Sequence, residues 1–182
     1  INALVLQNDD KIIAVGRGFS SPTNTLTMAR SHPDGSIDST FGTAGTVNMF
    51  IAGAHRTWID DAILQPDGKL LVAGHNTWFS RKYFVVERFN LNGTKDSTFT
   101  TFSHQLNGNF SELNSLVLQP DGKIVASGRS VVGPNWESTI LRLNPTVTID
   151  GSFATSGFET DSTSRDNRKI LMNKQGDFFL IG

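Results

Sequence analysis

LVLQNDDKIIAVG (residues 4–16), AILQPDGKLLVAG (62–74), LVLQPDGKIVASG (116–128) and ILMNKQGDFFLIG (170–182) are four copies of one thirteen-residue segment. The first and third agree at 9 of 13 positions and the second and third at 7 of 13, which excludes chance. Three further marks keep the same register. Lys11, Lys69 and Lys123 recur at spacings of 58 and then 54 residues, and so do Arg30, Arg88 and Arg142, and Phe41, Phe99 and Phe153. A fixed period of this length means one supersecondary unit copied along the chain. Residues that recur in every copy serve the architecture, so only residues that break the pattern are candidates for a specific task.

The second unit shows what the pattern demands. VNMF (47–50), WIDDAILQ (58–65), KLLVAGHN (69–76) and YFVVERFN (83–90) are short, rich in β-branched and aromatic residues, and bounded by turn residues, so each reads as a strand. In Gln65-Pro66-Asp67-Gly68-Lys69, Pro presets φ near −65° and Gly supplies a positive φ, which closes a hairpin. Asn92-Gly93 supplies another reversal. In the first copy Asp10 stands where Gly68 stands in the second, a substitution the left-handed region tolerates at some cost.

The second strand of each hairpin decides the topology. Ile12-Ile13-Ala14-Val15, Leu70-Leu71-Val72-Ala73 and Ile124-Val125-Ala126 are continuously apolar, so both of their faces must be covered. No segment has a helical period, and the cover must therefore come from other sheets. Four-stranded antiparallel blades packed face to face around an axis satisfy this, and the expected fold is an all-β propeller. A sandwich or a β-solenoid is the alternative, but solenoid coils run roughly 20 to 30 residues, whereas about 40 to 50 suits a blade. Residues 1–182 are read as one propeller segment with units at about 1–46, 47–104 and 105–158 and a partial unit at 159–182, three full repeats plus a terminal hairpin. Propellers carry about 4 to 8 blades. The expectation is a piece of a larger or oligomeric ring, completed by blades of the same polypeptide or of another copy, because faces as apolar as Leu70-Leu71-Val72 would otherwise aggregate. The chain opens on Ile1 within one repeat and stops at Gly182 within another, which also reads as part of a longer chain.

QPDGK followed by an apolar run and Gly, then RSHPDGSIDSTFG (30–42), resembles the delta-60 repeat of bacterial surface and secreted proteins. The resemblance covers essentially the whole chain, and the best matches are 65–74, 119–128 and 30–42. Departures are Asn8-Asp9-Asp10 for PDG, Asn144-Pro145-Thr146-Val147 for the second turn, and the degraded Asn173-Lys174-Gln175-Gly176-Asp177. The resemblance implies propeller-forming repeats of large modular bacterial proteins, several of them exported as cargo of the secretion system for C-terminally tagged proteins. It implies an extracellular or cell-surface location and no shared enzymatic activity.

Composition narrows the function classes. With 182 residues, 16 basic and 17 acidic side chains and a formal charge of −1, the chain has no electrostatic bias toward nucleic acid or an anionic membrane. No apolar run approaches the roughly 20 residues of a membrane-crossing helix, and no signal segment begins the sequence. There is no cysteine, hence no disulfide framework and no thiolate metal site. No nucleophile elbow, phosphate-binding loop or HExxH motif occurs, so no catalytic residue and no cofactor are assigned. His32, His55, His75 and His104 lack ligand spacing. Asp60-Asp61 would hold a cation only if a bulge brought two neighbouring strand side chains to one face, so no metal site is assigned.

Among patterned residues, Arg30, Arg88 and Arg142 each precede an acid by eight positions, Asp38, Asp96 and Asp150. An Arg fork tying its strand end to the DSTF loop is the structural reading, and a ring of ligand-binding charges the functional one. Phe41, Phe99 and Phe153 read as plugs between blades. Ser39, Ser97 and Ser162 follow Asp in segments that resemble a bacterial O-glycosylation signal, and Asn92-Gly93-Thr94 and Asn109-Phe110-Ser111 match the N-glycosylation pattern.

The segments that break the pattern join the second and third strands: GRGFSSPTNT (16–25), GHNTWFSRKY (74–83) and GRSVVGPNWEST (128–139). Each keeps an aromatic, Phe19, Trp78-Phe79 and Trp136, and Arg81 and Lys82 add a basic spot. An aromatic in a polar loop is an anchor for a protein partner or a stacking platform for a sugar, unless it folds back over its neighbouring blade. Trp58 lies within a strand and reads as core. Phe19, Trp78, Phe79, Arg81 and Trp136 are therefore the candidate partner- or glycan-binding residues of a non-catalytic interaction or adhesion scaffold. The alternative is a carbohydrate-binding or carbohydrate-active propeller, for which Glu87, Asp60 and Asp61 are the unpatterned acids of the best-defined unit.

Overall fold

The computed structural model describes residues 1–20, 23–51, 54–106, 108–163 and 169–182, and these form fourteen strands and no helix. β1 (Ala3–Leu6), β2 (Ile12–Ser20), β3 (Thr23–Ser31) and β4 (Thr46–Met49) make the first antiparallel sheet in that spatial order. β5 (Arg56–Leu64), β6 (Leu70–Trp78), β7 (Arg81–Phe89) and β8 (Phe102–His104) make the second, and β9 (Ser111–Leu118), β10 (Ile124–Val132), β11 (Asn135–Leu143) and β12 (Phe158–Asp161) the third. β13 (Lys169–Met172) and β14 (Phe178–Ile181) form a terminal hairpin. The three sheets are propeller blades, each a four-stranded meander.

The continuous apolar runs are explained by two-sided burial. Along β6, Leu70 and Val72 enter a core shared with Ile13, Val15, Leu26, Met28 and Phe41 of the first blade. Leu71 and Ala73 enter a second core shared with Leu113, Leu116, Ile124 and Leu141 of the third. Each fully buried Leu or Val contributes roughly 1.5–3 kcal/mol, so β6 cements two interfaces at once. At the ends of the array the outward faces are apolar and open, with Leu4 67% exposed on β1 and Phe179 53% exposed on β14.

The repeated turns have the expected geometry. Gly68 has φ +83° and its amide donates to Gln65 O at 2.9 Å, and in the first copy Asp10 takes φ +62° in its place. Val147 stands where the other blades have Gly35 and Gly93, and it adopts φ +66°, a left-handed conformation that is strained for a β-branched residue.

The glycine that closes each apolar run has a specific task. Asp60 and Asn114 are the extra residues of bulges, since pairing jumps from Ile59↔Gly74 to Asp61↔Ala73 and from Leu113↔Gly128 to Ser115↔Ser127. The bulged inner strand presses onto its neighbour, and a Cβ on Gly74 would lie 2.0 Å from Trp58 O, one on Gly128 1.9 Å from Glu112 O. Only glycine fits opposite the bulge.

Two sequence boundaries move. VNMF begins no second blade: Val47 pairs with Met28, so the segment is the outer strand of the first blade. The unit limits at 46/47 and 158/159 accordingly cut through β4 and β12. These outer strands are only four residues long and largely uncovered, so the sequence marks them weakly. The presumed loops between second and third strands are instead long hairpins that turn at Phe79-Ser80 and at Gly133-Pro134. Trp78 consequently ends β6, and Trp136 lies inside β11.

Candidate functional site

At the edge of the blades that carries the PDG turns, one node is built three times. Arg30 Nε donates to Asp38 Oδ2 at 2.9 Å, Arg88 Nε to Asp96 at 2.7 Å and Arg142 Nε to Asp150 at 2.8 Å. The guanidinium carbon lies 4.9 Å from the Phe41 ring centroid, and 4.7 Å from those of Phe99 and Phe153. Each acid also starts its own turn: Asp38 Oδ1 accepts from the Thr40 hydroxyl at 2.6 Å, with Thr98 and Ser152 equivalent in the other blades. The Lys of each QPDGK-type turn completes the node, Lys11 at 3.1 Å, Lys69 at 2.9 Å and Lys123 at 3.1 Å.

These contacts hold the three carboxyls well below the ordinary value of 3.8. For Asp38 and Asp150 the first cause is the hydrogen bond from Thr40 or Ser152, and for Asp96 it is Lys69. The node also bridges blades, since Arg30 Nη1 donates to Leu91 O and Gly42 N to Asn92 O at 2.8 Å. Phe41 and Phe99 are buried, whereas Phe153 is half-buried at the last complete blade. Sequence reasoning paired Arg with Asp but left the lysines as bare period marks. The signal was present, because Lys11, Lys69 and Lys123 keep the same 58 and 54 spacing as the acids.

The inner strands carry the residues that break the repeat. Asp61 is buried and accepts from Ser115 Oγ at 2.7 Å, from Leu116 N at 3.1 Å and from Lys169 Nζ at 2.9 Å. The bulge that would be required to aim Asp60 and Asp61 at one ion exists, yet the two carboxylates diverge: Asp60 Oδ1 accepts from Asn2 Nδ2 at 3.3 Å. Glu87 is fully buried and bound by Thr101 Oγ1 at 2.6 Å and Lys95 Nζ at 2.8 Å. No group of three metal-ligating side chains occurs among the described residues.

Toward the hairpin tips, three equivalent positions of blades two and three differ in kind. Blade two has Trp58, His75 and Lys82, with the Trp58 and His75 rings stacked at 5.0 Å, and Trp58 is half-buried rather than core. Blade three has Glu112, Arg129 and Trp136. Arg129 donates to Glu112 at 2.9 Å and lies 4.5 Å over the Trp136 ring. Lys82 leaves its own blade to pair with Glu112. Burial raises the Glu112 carboxyl, but Lys82, His75 and Arg129 together outweigh it and leave the group below its ordinary value. Trp136 is thus half-buried under an arginine and beside Phe110 at 5.9 Å.

Trp78 and Phe79 are 45% and 77% exposed, and His55 packs on both, stacked at 5.9 Å on Trp78 and edge-on at 5.0 Å to Phe79. Phe79 holds φ +52° at the turn, which thrusts its ring outward. Arg81 is exposed beside them. Phe19 lies in β2 opposite Asn24, and its side chain lies outside the described set, as do residues 21–22. Ser39, Ser97 and Ser162 are exposed.

The profile of a family described as a domain of unknown function (DUF5122) β-propeller matches residues 7–41, 65–99 and 119–153. No curated protein matches the chain. Among solved structures, a protein of unknown function from Bacteroides caccae is similar, with a TM-score of 0.52 and 14% identity over 93% of this chain and 49% of that one. The chain spans about half the length of that relative. A mannose phosphorylase from Leishmania mexicana, solved with phosphate, has a TM-score of 0.44 and 12% identity over 97% of this chain and 61% of that one. Likenesses at these identities concern the fold alone.

Proposed function

The chain belongs to the DUF5122 β-propeller family, and from that premise we propose that it is a non-catalytic interaction or adhesion scaffold, displayed through its hairpin-tip face. The observation that carries this reading is the cluster of His55, Trp78 and Phe79, aromatic surface held outward by a positive φ rather than folded into a core. Rigid aromatic anchors on a tight hairpin dominate binding energy at modest entropic cost. The repeats' resemblance to delta-60 sequences supports a place in a large exported or surface bacterial protein. The open apolar faces around Leu4 and Phe179 are the surfaces that further blades, of the same or another chain, would cover.

A carbohydrate-active reading asks for two carboxylates free to act across one bond, about 5–10 Å apart. Asp61 and Glu87 are instead each neutralised by a lysine and hydrogen-bonded, and Asp60 accepts from the Asn2 amide, which suits packing more than proton transfer. The test is adhesion of the labelled chain to the envelope of the producing bacterium. Trp78→Ala/Phe79→Ala is expected to weaken binding by about 2 kcal/mol or more with unchanged thermal unfolding. Adhesion unaltered by this double substitution refutes the reading.

A further inference from the structure

The pair Asn109-Phe110, just before β9, is fastened from both sides. Lys82 N donates to Asn109 O at 2.8 Å and Val131 N to Phe110 O at 2.9 Å, so blade two and blade three each hold it by one backbone bond. Gly108 runs so close to blade three that a Cβ there would lie 2.1 Å from Val131 O. Asn109 and Phe110 also line a cleft of about 470 Å³ whose walls include Arg81, Gln105 and Val131. That size falls within the range of small-molecule sites, about 300–1,000 Å³.

Two side chains of the lining, Arg81 and Gln105, offer donors. Lys82 and Arg129 both pair with Glu112, but Arg81 is exposed and has no ion pair among the described residues. Gln105 Nε2 is buried and has no hydrogen-bond partner among the described residues. A buried donor left unpaired is costly, and a ligand oxygen would recover that cost. Phe110, half-buried against Trp136, supplies an apolar wall, and the Asn109 side chain stands exposed at the rim.

We propose that this cleft binds an acidic sugar residue, with its carboxylate at Arg81 and Gln105 and its apolar ring face on Phe110. A guanidinium with an amide donor recognises a carboxylate by charge-assisted hydrogen bonds. An aromatic wall beside side-chain amides suits a pyranose, which presents an apolar face and a rim of hydroxyls. A peptide would dock by adding to a strand edge, and the backbone groups it would use here are already taken at Lys82, Asn109, Phe110 and Val131. The proposal rests on the reading that the hairpin-tip face is the binding face, but it concerns a different patch from Trp78 and Phe79.

The experiment is calorimetric titration of the chain with trigalacturonate and with the neutral galactose trimer. Saturable binding of the acidic trimer is expected, at least about tenfold tighter than the neutral one and weakened at least about tenfold by Arg81→Gln with unchanged thermal unfolding. Gln105→Leu should weaken it as well, and Trp78→Ala/Phe79→Ala should leave it unaltered, which separates this site from the adhesive patch. Galacturonic acid binding as well alone as in the trimer would identify a free uronate rather than a polysaccharide residue as the ligand. Equal affinity for the neutral trimer, retained affinity in Arg81→Gln, or no saturable binding across a panel of uronate and sialylated oligosaccharides overturns the proposal. So does binding of peptides through their C-terminal carboxylate where the saccharides fail.

Discussion

Lys169 and Asp61, 108 residues apart in sequence, are joined by hydrogen bonds of 2.9 and 3.1 Å from one ammonium to both carboxylate oxygens. Asp61, Ser115 and Lys169 occupy the same repeat position on the inner strands β5, β9 and β13. A position that would otherwise repeat has diverged into acid, hydroxyl and base, and the three close into a clasp: Ser115 Oγ donates to the same Asp61 oxygen at 2.7 Å. The terminal hairpin is thereby fastened to the second blade across the third, a link that apolar packing alone would not specify.

Asp61→Ala removes the acceptor of the clasp and leaves the buried Leu116 amide without its partner. The expected cost is about 2–4 kcal/mol, read from urea unfolding. Lys169→Ala should cost about 1 kcal/mol, because that side chain is half-exposed and Asp61 keeps its two other donors. Equal costs, or the reverse order, would contradict the account of Asp61 as the centre of the clasp.

The three Arg–Lys–Asp nodes should make the protein acid-sensitive. The folded carboxyls of Asp38, Asp96 and Asp150 are lowered from 3.8, so below that value the unfolded chain binds protons that the folded chain refuses. Their stabilisation is therefore complete at neutral pH, begins to fall as pH drops through the ordinary carboxylate range, and is lost as pH approaches the folded values. Urea midpoints measured from about pH 6 down to about pH 2 should decline accordingly, and Asp150→Asn should make the decline shallower. A slope identical to that of the parent protein would show that Asp150 contributes nothing to it.

Phe99 and Phe153 hold the same repeat position in different surroundings. Phe99 is buried between the second and third blades, and Phe99→Ala is expected to cost about 3–5 kcal/mol. Phe153 is half-buried, so Phe153→Ala should cost about half as much or less, since less area is withdrawn from water. Chemical denaturation of the two variants tests this, and a Phe99→Ala shift near zero would contradict the burial.

The blades, hairpins and turn residues were legible because each leaves a local mark: an apolar run covered on both faces, a PDG turn, a period shared by Lys, Arg and Phe. The blade membership of β4 was not, since VNMF reads as a strand but nothing local ties it to the first blade, and β12 left no mark because four residues with little burial carry almost no pattern. The candidate site was read only in outline. Trp78 and Phe79 broke the repeat visibly, but the placement of Trp136 inside β11 depends on a hairpin register that Gly133-Pro134 does not announce. The Glu112, Lys82 and Arg129 cluster was invisible for another reason. It joins residues of two blades, and spacing along one chain says nothing of which positions meet across a blade interface.

The glycines after each apolar run provide the sharpest separation of conformational from steric requirement. Gly74 has an ordinary backbone, so alanine would be tolerated by its φ, yet the added Cβ would lie 2.0 Å from Trp58 O and 2.8 Å from Ile59 Cα. Both are backbone atoms of the bulged strand, which cannot yield without undoing the bulge at Asp60. Gly35 is the opposite case, with φ +85° and nothing within 4 Å of its added Cβ. Gly35→Ala should therefore cost about 1–2 kcal/mol, the left-handed penalty alone. Gly74→Ala should cost about 3 kcal/mol or more, at the upper end of overpacking effects. It should also perturb the fluorescence of Trp58, whose carbonyl is the atom struck. Should the two variants unfold at the same denaturant concentration, the bulge would be soft, and the recurrence of Gly74 and Gly128 would need another cause.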